Sequence, residues 1–173
     1  LDALKISTAL EPDYTLENGF GTTSSFTYDW TISGNEKPTL VANANEASDG
    51  YGVCFNYKTL GDNESSLSRT IRVTEDSIVT FKYKTDITPD YDGVMNFYID
   101  GVLQDSGWTG KNGSWTKVQF LVETGSHIIE WRAEGVSSSY TSGITNTVYL
   151  CELSLSTVPI APSTIIQDFE AEL

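Results

Sequence analysis

Basic residues are scarce: ten lysines and arginines stand against 24 aspartates and glutamates, a net charge of −14 over 173 residues. Such a surface repels phosphate backbones and anionic lipid, which argues against nucleic-acid and membrane-surface roles. It suits Ca2+ or neutral sugars as partners, and it also serves plain solubility. There is a single histidine, His127. Catalysis through it needs a base partner and a nucleophile, and no motif supplies them. No apolar run of about 18 residues occurs, so no membrane-spanning helix is expected. Only two cysteines are present, Cys54 and Cys151. Their separation is not that of a zinc site; they are either a long-range disulfide or two buried thiols. The chain opens at Leu1, not at methionine, so a missing export signal says nothing about compartment.

What the chain does have is period-2 alternation. Val79, Phe81 and Tyr83 share one face and Thr80, Lys82 and Lys84 the other. Met95, Phe97 and Ile99 repeat the pattern, with Asn96, Tyr98 and Asp100 opposite. Val118, Phe120 and Val122 form a third stripe, Ile129 with Trp131 a fourth, and Tyr149, Cys151, Leu153 and Leu155 a last one. Turn signals separate the runs: Gly61-Asp62-Asn63, Pro89-Asp90, Asp92-Gly93, Asp100-Gly101, Lys111-Asn112-Gly113 and Thr124-Gly125. Residues 42–47 fit one helical turn, and nothing longer reads as helix. Many short strands with such punctuation predict an all-β fold, a two-sheet antiparallel β-sandwich. Abundant Ser, Thr, Asn, Gly and Tyr read as secreted or cell-surface.

Residues 1–155 read as one binding module. Residues 156–163 (STVPIAPS) read as a proline-containing linker. Residues 164–173 are apolar and acidic again, either the start of a following repeat or an extra strand of the same sheet.

With the strands in place, residues 16–155 resemble a bacterial concanavalin-like jelly-roll group that includes MAM-type, cleaved-adhesin and carbohydrate-binding modules. The resemblance runs through Leu16-Glu17, then residues 60–68 (LGDNESSLS), then Val79 to Lys84 (VTFKYK). It continues through Phe97 to Gly101 (FYIDG), Ser106-Gly107, Trp115, and Gly125, His127, Ile129 and Trp131. It implies jelly-roll topology and a non-catalytic module. Trp115 and Trp131 are expected in the core on strand phase and family position, and Trp30 beneath the first turn. His127 is expected to be structural. The family's closing strand often has Asp where Asn146 and Cys151 stand here, and commonly has Ser where Cys54 stands. Both cysteines then lie on neighbouring strands, which favours a bridge. Simple alternation puts them on opposite faces unless a β-bulge intervenes.

Calcium takes six to eight oxygens from carboxylates and carbonyls. Glu17, Asp49 and Glu152 are the expected structural Ca2+ ligands at one sandwich edge, and Asp86, Asp90 and Asp92 a second loop candidate. Sugars stack apolar C–H faces on aromatic rings while side chains bond their hydroxyls. Trp108, Tyr91 and Tyr140, on turn-like segments, and Tyr98, on a polar sheet face, are the candidate rings. Trp108 lies among Gly and Lys, so it is expected either to be exposed for ligand or to cover an end of the sandwich. Asn63-Glu64-Ser65 and Asn112-Gly113-Ser114 match the N-glycosylation pattern. The expected function is a non-catalytic carbohydrate-binding module with a glycan or polysaccharide partner, carried beside neighbouring domains in a larger secreted or surface protein or depolymerase. The alternative is a structural spacer or protein-adhesion domain. No motif sets two carboxylates across a cleft, so an enzyme is not expected.

Overall fold

Antiparallel strands carry nearly all of the described chain. The computed structural model describes residues 14–16, 19–22, 25–42, 51–58, 65–87, 93–108, 111–135 and 145–158. A single helical turn, α1 (Phe26–Asp29), precedes ten strands: β1 (Thr31–Gly34), β2 (Thr39–Ala42), β3 (Tyr51–Lys58), β4 (Ser65–Val73) and β5 (Ser77–Asp86), then β6 (Gly93–Ile99), β7 (Val102–Trp108), β8 (Lys111–Val122), β9 (Gly125–Gly135) and β10 (Thr145–Thr157). They form two five-stranded antiparallel sheets with orders β1-β4-β9-β6-β7 and β2-β3-β10-β5-β8. This is the expected jelly-roll sandwich. β10 continues to Thr157, two residues into the stretch read as linker. The helical turn falls at α1; of residues 42–47, Ala42 ends β2 and the rest lie outside the described residues.

The core forms where the alternating stripes meet. Val79 and Phe81 from the second sheet face Met95, Phe97, Ile129 and Trp131 from the first, all fully buried. The Trp131 ring centroid lies 5.0 Å from Phe81 and 5.1 Å from Phe97, in tilted or edge geometry suited to aromatic quadrupoles. Trp30 and Phe20 extend this cluster, and Trp30 Nε1 donates to the Phe20 carbonyl at 3.1 Å. Each such ring removed from water contributes about 1.5–3 kcal/mol.

One expected stripe and one expected core residue are corrected. On β10 the buried residues are Val148 and Leu150, while Tyr149 faces outward. The pairing with β5 then slips between Cys151 and Ser154, where Glu152 takes φ +52°. This β-bulge inverts the phase, so Leu153 and Leu155 return to the inside. Trp115 is half-buried, and Lys84, an outward residue of β5, places its Nζ 6.0 Å from the ring centroid. It stands three residues from inward Val118, an odd step, so the pleat turns it away from the core.

The β6–β7 hairpin follows from Asp100-Gly101. Both adopt left-handed backbone, φ +52° and +75°, as a two-residue hairpin between Ile99 and Val102 requires. The turn is tied to β9: Asp100 N donates to Ile128 O at 2.8 Å, and Ile128 N donates to Asp100 Oδ1 at 2.7 Å. His127 adds a clip. Its Nδ1 lies 2.7 Å from Asp100 Oδ2 and its Nε2 2.9 Å from Glu123 O. Both ring nitrogens thus face acceptor oxygens, one on the turn and one just ahead of β9. A Cβ at Gly125 would sit 3.2 Å from His127 Nε2, which explains glycine two residues before the histidine. His127 is therefore a structural tie.

Candidate functional site

The two outer faces of the sandwich present different chemistry. On the second sheet, strand register aligns Cys54 of β3, Tyr149 of β10 and Lys84 of β5 in one row, and Lys84 reaches Trp115 of β8. Tyr149, Lys84 and Trp115 thus occupy three adjacent strands, so the two ring-bearing backbones lie about 10 Å apart, two interstrand spacings. All three side chains are half-buried, so each still meets solvent. Beside them, Thr147 Oγ1 donates to Asn56 Oδ1 at 3.0 Å and Gln119 Nε2 to Thr80 Oγ1 at 3.3 Å. The adjacent Cys54 sulfur and partial burial push the Tyr149 phenol above its usual range, and burial pushes the Cys54 thiol up. Both groups are neutral at physiological pH. An uncharged phenol between polar side chains is a sound platform for a hydroxylated, apolar-faced ligand.

On the first sheet, Tyr98 lies on the polar outer face, as expected. Its ring is capped by the Arg132 guanidinium, 4.7 Å from the centroid. Arg132 grips Glu130 through Nη2 at 2.8 Å and Nε at 3.3 Å, and reaches Glu134 at 3.7 Å. Tyr98 OH donates to Glu134 Oε1 at 3.2 Å. Burial and the Glu134 carboxylate raise the Tyr98 phenol, while the bond to Glu130 holds Arg132 protonated. Here the charges are spent on one another.

Trp108 does not offer a free ring. It is buried, stacked on Tyr83 with centroids 4.1 Å apart and planes 3° from parallel, and packed 5.7 Å from Phe81. Its Nε1 donates to Asp105 Oδ2 at 2.9 Å. The ring closes the gap between edge strand β7 and the second sheet, and the expectation of exposure is corrected. Tyr91 and Tyr140 lie outside the described residues.

The thiols are corrected as well. The bulge puts Cys54 and Cys151 on the same face, but Cys54 pairs with Tyr149 and Cys151 with Gly52. They are diagonal neighbours two positions out of register, about 7–8 Å apart. A disulfide needs about 4.4–6.8 Å between Cα atoms, and the two are buried thiols. Of the expected calcium ligands, Glu17 and Asp49 lie outside the described residues. Glu152 gives its Oε1 to Lys82 Nζ at 2.8 Å, so a cation already holds it. Of the second set, Asp90 and Asp92 are likewise outside. Among the described residues, no three His, Cys, Asp or Glu side chains gather as a metal site.

One groove of about 620 Å3 opens between β1 and β2 over Phe26, Trp30, Ile32, Pro38 and Leu40. Its walls are largely apolar, with Thr27, Lys37 and Thr39 as its polar lining.

No family model matches the chain, and no curated protein matches it by sequence. Solved structures do match in fold. A CBM61 module, TmCBM61, in complex with β-1,4-galactotriose is 17% identical with a TM-score of 0.52, covering 75% of this chain and 88% of its own. The K1 cleaved adhesin domain of Lys-gingipain from Porphyromonas gingivalis W83 is 12% identical, TM-score 0.47, covering 75% and 90%. The CBM22-2 xylan-binding domain of Xyn10C from Paenibacillus barcinonensis is 14% identical, TM-score 0.47, covering 75% and 92%. The chain thus shares the β-sandwich fold of the CBM61 module.

Proposed function

We propose that the chain is a non-catalytic glycan-binding module of a larger secreted or cell-surface protein, and that the glycan lies across the outer face of the second sheet. The observation that carries this reading is the row Tyr149, Lys84 and Trp115. Two rings outside the core, spaced over about the length of a disaccharide, supply stacking faces, and Lys84 between them supplies a donor to ring or hydroxyl oxygens. The jelly-roll fold, in which TmCBM61 holds β-1,4-galactotriose, is consistent with such a role. Hydrolysis has no support here: Glu130 and Glu134 both lean on Arg132, and Glu152 on Lys82. A glycan microarray probed with the whole chain, beside Trp115→Ala and Tyr149→Ala, tests the reading. Each substitution is expected to weaken binding about tenfold, roughly 1.4 kcal/mol, with melting temperature little changed. If the folded protein binds no glycan, a spacer or protein-adhesion role replaces this one.

A further inference from the structure

The overall charge of −14 hides a local reversal. Of the ten basic residues in the chain, Lys82, Lys84 and Lys117 gather on the outer face of the second sheet. Lys82 and Lys117 stand directly opposite one another on β5 and β8. Like charges placed so are destabilising in a sheet. Only Lys82 is bound to Glu152. Among the described residues, Lys84 and Lys117 have no carboxylate partner; Lys84 lies over Trp115. Among the described residues, the acidic groups on this face are Glu152, spent on Lys82, and Asp86, exposed at the end of β5 in register with Lys111 and near enough to help raise the Tyr149 phenol. Two unspent ammonium groups therefore sit beside two stacking rings, in a protein that elsewhere repels anions.

Resting on the glycan reading above, we infer that this face takes an acidic polysaccharide, a chain carrying uronate carboxylates at intervals. Lys84 and Lys117 pair with carboxylates, while Trp115 and Tyr149 stack on pyranose faces. The charge count favours one carboxylate per sugar over dense sulfate. A chain with several charges per disaccharide meets the repulsion of the surrounding acidic surface, and two ammonium groups do not offset it. A polyuronate places about two charges, one per sugar, over the span of the row, matching two ammonium groups. The opposed lysines are kept at a cost to stability, as binding sites often are.

Affinity electrophoresis and calorimetry of the whole chain with polygalacturonate, uncharged galactan and xylan, and heparin test this. Polygalacturonate is expected to bind at least tenfold tighter than either uncharged polymer and to weaken steeply with added salt. Lys84→Gln and Lys117→Gln should each lose about tenfold toward polygalacturonate, and Lys117→Gln should melt at the same or a higher temperature. Equal binding of galactan or xylan, unaffected by these substitutions, overturns the uronate inference and leaves the glycan reading standing. Preferred binding of heparin also overturns it. No binding of any polymer by the folded chain overturns both readings.

Discussion

On the outer face of the first sheet, Arg132 is shared between Glu130 and Glu134 and lies over Tyr98. On the outer face of the second, Lys84 and Lys117 carry their charge toward solvent beside Trp115. Both faces set a cation against an aromatic ring, yet one closes on itself and the other stays open. An Arg fork held by two carboxylates has little left to offer a ligand. An ammonium whose contact is a ring keeps its full set of donors. Aromatic content alone does not mark a binding surface; what matters is whether its neighbours are already satisfied.

The comparison is most easily broken at Trp108. Trp108→Ala removes the ring that seals β7 to the second sheet and should cost about 3–5 kcal/mol in urea denaturation. Protein that remains folded should keep its glycan affinity; a loss of affinity with little change in stability would move the binding surface to that edge. Arg132→Ala sharpens the contrast. It frees two carboxylates on the closed face and should lower stability by about 1 kcal/mol, discounted for its partial exposure. Glycan affinity should stay within about twofold, and a larger loss would show that the first sheet binds ligand too. Asp100→Asn gives the smallest effect, a few tenths of a kcal/mol for so exposed a group. Burial works against the Asp100 carboxylate, but bonds from Ile128 N–H and His127 hold it below its ordinary value. A depressed folded-state value stabilises above the unfolded value, about 3.9, and that stabilisation is lost as pH falls through the folded one. The gap between wild type and Asp100→Asn should therefore be present at about pH 6 and close in strong acid. A gap that persists at low pH would dismiss the clip as an electrostatic element.

The inward stripes were legible because alternation is local: Phe81, Phe97 and Trp131 each announce their face within a few residues. The Asp100-Gly101 turn was equally plain, since few residues accept its backbone. The placement of Trp115 in the core was not sound, although its odd step from Val118 already pointed outward; a family phrase transfers positions, not pleat phase. The candidate surface was hidden for another reason. Lys82 opposite Lys117, and Tyr149 beside Lys84, are products of register between strands distant in sequence. Whole-chain charge pointed to neutral sugars, and only pairing gathers the lysines. Trp108 misled because its turn-like neighbours conceal Tyr83, which packs on it from another strand.

A single extra residue in β10, at Glu152, decides how that strand is used. Ahead of it, Tyr149 is delivered to the exterior row; behind it, Leu153 and Leu155 are delivered to the interior. Deleting that residue would turn one half of the strand inside out, exchanging a ligand-facing phenol for buried aliphatics. The outer row and the hydrophobic interior are thus coupled through chain length at one point, and a change in length there keeps both faces only if it preserves parity.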